Sequence, residues 1–140
     1  GNLEFRFQNL GLRDRVIFLD NISEGELIVF YKNAELFILL PQDVNKDIEG
    51  FGLVFLEAAA AGLPVVTTQG SGGEDAVLDG RTGLLSPMGD FKETAGLLEK
   101  LLSQPDSKNQ FSRESLNFAK TMSWKRVARQ YSHIYHNLYI

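Results

Sequence analysis

The sequence predicts an α/β fold, a Rossmann-like parallel sheet with helices on both faces, and three observations predict it. Short aliphatic or β-branched runs occur at 16–19, 36–40, 64–68 and 83–86. Segments of helical periodicity separate and follow them. Polar loops rich in Gly, Asn or Asp stand at 20–23, 41–52 and 69–73, each following a run. In open sheets of this class ligands bind beyond the carboxyl ends of the strands, so these loops are expected to converge there.

The elements follow in order. Leu3, Phe7 and Leu10 recur at helical spacing and stop at Gly11, after which Arg15 to Leu19 reads as a short buried strand. Ser23 with Glu26 three residues on is a capping-box signature, and Leu27, Phe30, Tyr31 and Ala34 carry the helix it opens. Leu36 to Leu40 is the second strand. Pro41 to Glu49 is too polar for core, whereas Leu53 to Ala61 is a run of good helix formers closed by Gly62 and Pro64, so a loop delivers a helix. The third strand is Pro64 to Thr68, and the loop Gly70 to Gly73 leads to a short helix at Glu74 to Leu78. A turn at 79–82 precedes the short strand Gly83 to Ser86. Helices are expected near 90–103, 108–120 and 124–139, the last capped by Ser123. Its apolar stripe of Trp124, Val127, Ala128, Tyr131, Ile134, Tyr135 and Leu138 is expected to be core.

With 140 residues, 44% of them hydrophobic, the chain has the size of one domain that buries a real core. Fourteen Lys and Arg against eighteen Asp and Glu give a net charge of −4, without a basic run, which argues against nucleic acid or an anionic membrane as a general partner. The absence of cysteine excludes disulfides, thiolate metal sites and a cysteine nucleophile. The longest apolar stretch, Phe51 to Val66, is interrupted by Glu57 and Pro64 and does not read as a membrane span; the amino end carries no signal-peptide core. The expected location is cytoplasmic.

The most informative segment is Glu49-Gly50-Phe51-Gly52-Leu53-Val54-Phe55-Leu56-Glu57, where glycines stand at the passage from loop to helix. Exposed amides at a helix amino end suit a phosphate, and glycine lets backbone approach a ligand without an intervening Cβ. Glu57 is the single charge between Phe51 and Val66, and helical spacing puts it on one face with Leu53, Val54, Ala60 and Ala61. A carboxylate buried there needs hydrogen-bond donors. Sugar hydroxyls would serve; so would an Arg, a backbone amide or water. The acidic loop Gln42 to Ile48 reads as solvated surface and not as a metal site. His133 and His136 on the last helix have no further ligands nearby and read as surface or interface residues.

Two glutamates separated by seven residues, with Gly-Phe-Gly between and Ala-Ala-Ala-Ala-Gly-Leu-Pro-Val-Val after, resemble retaining glycosyltransferase family 4. Leu12 to Leu19, Ser71-Gly72-Gly73 with Ala76 to Leu84, and Ser123-Trp124 resemble further segments of that family. The resemblance implies the GT-B fold, two Rossmann-like domains facing a cleft, and makes residues 1–140 a partial carboxy-terminal nucleotide-sugar-binding domain. Its opening strands and the acceptor-binding domain would precede Leu3. Two absent strands would lie between 16–19 and 36–40, from which self-association of this chain is expected.

Carried over by residue, the resemblance implies that Glu49 lies beside the transferred sugar as the catalytic-site glutamate, with Gly50 in the same donor loop. Amides of Phe51, Gly52 and Leu53 would contact sugar hydroxyls or pyrophosphate, Glu57 the ribose hydroxyls, and Ile22 the base. Ser71, Gly72 and Gly73 would form a further donor loop, although the segment after Gly73 is one residue shorter than the family's and lacks its Val-Pro. Asp20 stands where the family commonly has glycine, and the 42–48 loop is longer than usual. The intact protein would transfer a sugar from a UDP- or GDP-sugar to an acceptor hydroxyl, with retention at the anomeric carbon. No cofactor or metal is implied. The acceptor, a glycan, lipid-linked or small molecule, would be bound through the absent domain, and the intact protein could sit peripherally at the inner face of the membrane. The alternative is a non-catalytic nucleotide-sugar-binding or regulatory subunit.

Overall fold

The computed structural model describes residues 3–42 and 52–138. The chain divides into two compact units, Gly1–Phe30 and Tyr31–Ile140.

In the first unit, helix α1 (Leu3–Asn9) ends in a glycine stop. The Gly11 amide donates to the Gln8 carbonyl (3.0 Å) and the Leu12 amide to that of Phe7 (3.0 Å), with Gly11 at φ +69°. This left-handed residue satisfies the last carbonyls of the helix at no steric cost. A single 3₁₀ turn, Arg13–Arg15, follows. The expected strand at 16–19 does not form. Val16 has extended dihedrals, but Ile17 is 82% exposed and Phe18 packs edge-on against Phe7, with ring centroids 5.5 Å apart. An extended segment becomes a strand only where a neighbour takes its amides and carbonyls, and no described strand pairs with this one. Helix α2 (Glu24–Asn33) begins at the capping box the sequence announced. Ser23 donates from its amide (2.8 Å) and hydroxyl (2.7 Å) to Glu26 Oε2, and the Glu26 amide donates back to Ser23 Oγ at 3.3 Å.

The second unit holds three parallel strands, β1 (Phe37–Ile38), β2 (Val65–Thr68) and β3 (Gly83–Ser86), in the order β1-β2-β3. Phe37 pairs with Val65, Val65 with Gly83, and Thr68 with Ser86. Strand alternation sends side chains to two cores. On one face Phe55, Ala58, Leu63, Val65, Ala76 and Val77 cluster under helix α3 (Leu53–Ala60), with Tyr31 and Phe37 against them. On the other, Val66, Leu84 and Leu101 pack beneath helix α4 (Phe91–Ser103). The sheet is therefore covered on both sides, as its uninterrupted burial over Val65 to Thr68 requires.

Helix α5 (Pro105–Thr121) starts earlier than expected because Pro105 takes the first helical turn, where its missing N–H costs nothing. It lies by the amino ends of β2 and β3: Ser115 donates to the Thr82 carbonyl at 3.1 Å, and Gly62, which ends α3, is set against Ser112 and Leu116. The stretch expected as a short helix at 74–78 is instead a 3₁₀ turn over Gly72–Ala76. Helix α6 (Trp124–Leu138) forms, with the Arg126 and Val127 amides donating to the Ser123 carbonyl. Its stripe, however, is not core: Trp124 is 78% exposed and Leu138 72%, with Tyr131, Ile134 and Tyr135 also open. Amphipathic spacing predicts which face seeks burial, whereas burial itself needs an element to lie on it: Val127 is half-buried, and the large aromatic and aliphatic side chains of the stripe stay exposed. Among the described residues no helix is long and apolar enough to cross a membrane.

Candidate functional site

The loops that leave β1 and β2 meet at the carboxyl edge of the sheet. Because β1 and β2 are parallel and α3 joins them, the amino end of α3 stands at the edge where β1 and β2 end. Thr68, the last residue of β2, donates from its hydroxyl to the Pro41 carbonyl at 2.6 Å, which ties the loop after β1 to the loop after β2. The loop after β2 closes on itself: Ser71 Oγ donates to the Thr68 carbonyl (2.8 Å) and the Gly70 amide to Glu74 Oε2 (2.6 Å).

Glu49, Gly50 and Phe51 lie outside the described residues, as does most of the acidic loop. Gly52 is described, and it occupies the capping position of α3 at φ +67°, ψ 80°, with its carbonyl taken by the Phe55 amide at 3.0 Å. An L side chain is rarely found there, so this glycine is required by the turn itself. Leu53, in the first turn, is 58% exposed.

Ser71, Gly72 and Gly73 are brought to the same edge, but Gly73 faces inward. A Cβ on it would stand 2.6 Å from Phe55 and 2.8 Å from Thr67 Oγ1. Its glycine serves close packing of the loop on the core. Thr67 is fully buried, and its hydroxyl has no partner among the described residues. Glu74, which the sequence reading passed over, occupies the Gly70 amide that such a loop could otherwise offer to an anion.

Glu57 is exposed. The face it shares with Leu53 and Ala60 turns outward, while Phe55, Ala58 and Ala59 are the residues α3 buries. The expectation of a buried carboxylate is thus corrected: spacing groups residues by face, and the sheet took the other one. Glu57 lines an open groove of about 290 Å³ with Leu53, Leu56, Ala60, Ala119, Met122, Ser123 and Trp124. It still has a donor, one not foreseen. Tyr31, on α2, gives its hydroxyl to Glu57 Oε2 at 3.1 Å. Burial, that hydrogen bond and the nearby negative charge push the Tyr31 phenol up to about 12, so it stays protonated and remains a donor throughout the neutral range.

Ile22, the residue expected at the base, belongs to the first unit and is 36% exposed. It follows Asn21, which adopts φ +56°, a conformation Asn tolerates better than most residues. His133 and His136 are exposed, and His133 Nδ1 pairs with Asn137 at 3.0 Å.

Parallel strands, helices on both faces and loops gathered at the carboxyl edge define a Rossmann-like α/β domain. The chain belongs to the glycosyl transferases group 1, whose family model matches residues 1–118. It is 33% identical over 130 residues to the D-inositol 3-phosphate glycosyltransferase of Corynebacterium glutamicum, an alignment covering 93% of this chain and 30% of that protein. Among solved structures, the sucrose-phosphate synthase of Thermosynechococcus elongatus superposes with a TM-score of 0.79 at 29% identity, covering 98% of this chain and 33% of that one. Anabaena HepE in complex with UDP and glucose gives 0.77 at 22% identity, covering 96% and 35%. These neighbours are GT-B glycosyltransferases, and the present chain spans about a third of their length.

Proposed function

We propose that the chain is part of the carboxy-terminal, donor-binding domain of a retaining GT-B glycosyltransferase. The intact protein then moves a sugar from a UDP- or GDP-sugar to an acceptor hydroxyl. The observation that carries this reading is the start of α3. A left-handed Gly52 caps the helix at the carboxyl edge of the sheet without a side chain to take its first amides, and one turn further on Glu57 presents a carboxylate on the exposed face. The crystallisation of HepE with UDP and glucose supports a nucleotide and a sugar as the ligands of such a domain.

In this scheme the amides of Phe51, Gly52 and Leu53 meet the sugar or the pyrophosphate, Glu57 accepts from ribose hydroxyls, Ile22 borders the base and Ser71 to Gly73 flank the donor. Glu49 orients the sugar and is not a nucleophile. The nucleoside diphosphate departs from the face that the acceptor hydroxyl attacks, which returns the original anomeric configuration. Catalysis then consists of positioning and of stabilising charge on the leaving group, without a metal or another cofactor. Cytoplasmic location goes with nucleotide-sugar chemistry.

The test uses the full-length enzyme. Glu57→Gln replaces an acceptor oxygen with a donor facing donors and should weaken nucleoside diphosphate binding by about 1–3 kcal/mol, the range for charged hydrogen bonds. Glu49→Gln should leave nucleotide affinity near wild type and lower turnover. Calorimetry with UDP and GDP beside initial rates reads both. Equal loss of nucleotide binding in the two variants refutes the division of roles, and unchanged binding and rate in both refutes the donor site.

A further inference from the structure

Glu57 sits on the outward face of α3, where a glutamate ordinarily samples many rotamers in water. Here it is held. The Tyr31 hydroxyl donates to Oε2 at 3.1 Å, across 26 residues of sequence, and among the described residues no other hydrogen bond reaches this carboxylate. Tyr31 is itself fixed through aromatic contacts. Its ring centroid lies 5.9 Å from that of Phe37, tilted by 41°, and Phe37 meets Phe55 edge-on at 5.9 Å and 88°. Phe55 is fully buried and belongs to the same helix as Glu57. A rigid path therefore runs from the core through three rings to one oxygen of an exposed carboxylate.

Packing alone does not account for the phenol. Phenylalanine would make the same ring contacts without placing a hydroxyl at a half-buried position, where it must find a partner. The hydroxyl's partner is Glu57, a residue with no ion pair among the described residues. A carboxylate with one oxygen committed keeps the other free and has a set plane, which suits an acceptor for a fixed pair of hydroxyls.

We propose that Tyr31 is a positioning residue for the donor site: it holds Glu57 Oε2 so that the carboxylate is pre-oriented to accept from the ribose of a nucleoside diphosphate. This rests on the reading of Glu57 as the ribose acceptor. Tyr31 touches no reacting atom; it acts by removing freedom that ligand binding would otherwise have to remove.

The experiment is a double-mutant cycle on the full-length protein, titrated with UDP and GDP and with their 2′-deoxy and 3′-deoxy counterparts. The quantity read is the ratio of affinities, ribose over deoxyribose, for whichever base binds. Tyr31→Phe, which keeps the ring packing, should narrow that ratio three- to tenfold and leave affinity for the deoxy compound within twofold. Glu57→Gln should abolish the ratio, and the double variant should match Glu57→Gln alone. A Tyr31→Phe protein that melts lower but keeps the wild-type ratio overturns the positioning role, makes the contact a structural tie, and leaves the Glu57 reading intact. An unchanged ratio in Glu57→Gln overturns the ribose reading and this inference with it. Absence of UDP and GDP binding by the wild-type protein overturns both.

Discussion

The ring of Phe55 fills the space that a side chain at position 73 would need: a Cβ on Gly73 would come within 2.6 Å of Phe55 Cε2. The loop after β2 is thus seated on the helix that carries Glu57. Both neighbours of position 73 are fully buried, so neither has room to retreat. Gly73→Ala should destabilise the fold by about 1–3 kcal/mol, the usual cost of overpacking a core, which urea denaturation of the full-length protein would read as a lower midpoint. Wild-type stability in that variant would show the loop to be loosely held.

Thr67 offers the opposite case. Its hydroxyl is buried without a partner among the described residues. Thr67→Val removes the polar atom and keeps the shape, and should stabilise by about 1 kcal/mol, at the low end of the cost of an unsatisfied buried group. A loss of stability on thermal melting would reveal that the hydroxyl is hydrogen-bonded.

Alkaline titration isolates Tyr31. Its folded pKa, about 12, stands above the ordinary value of 10.0, so the folded chain binds the proton more tightly than the unfolded chain. The contribution to stability is complete below pH 10 and is lost as pH rises through 12. Absorbance at the phenolate band should show one late-titrating tyrosine, absent from Tyr31→Phe. Identical curves for the two proteins would contradict the burial and the Glu57 contact.

Acid acts on the other end of α2. Ser23 holds the Glu26 carboxyl below its ordinary value of 4.5 by two hydrogen bonds. A depressed folded pKa means that the stabilisation is present above the unfolded value and fades as pH falls through the folded one. Amide protection factors in the first turn of α2, exchange rates divided by the intrinsic rate at each pH, should therefore fall in acid, and Ser23→Ala should lower them at neutral pH, in keeping with the loss of a helix cap of about 1 kcal/mol. Exchange indifferent to both changes would show the cap to be unimportant.

The open stripe of α6 bears on association. Trp124, Tyr131, Ile134, Tyr135 and Leu138 present one apolar face, each more than half exposed. Isolated, this 140-residue chain should self-associate through it, and Tyr131→Ser with Leu138→Ser should shift the light-scattering mass toward the monomer. A monomeric wild-type chain at high concentration would remove the case.

Sequence alone determined the features whose causes lie within a few residues. The Ser23 and Glu26 box, the glycine stops at Gly11 and Gly62, the turn at 79–82 and the strands at β2 and β3 were legible because capping, positive φ and aliphatic or β-branched composition are local. The family was legible for a related reason: Glu49 to Glu57 and the glycine loop after β2 are contiguous motifs. Tertiary structure decided what depends on a distant partner. Among the described residues, 16–19 have strand composition but no strand to pair with, and α6 has an apolar face that stays largely exposed. The orientation of α3 is the sharpest instance. Periodicity sorted its residues into faces, and only the sheet beneath chose Phe55, Ala58 and Ala59 for the interior, leaving Glu57 outside to be met by Tyr31 from 26 residues away.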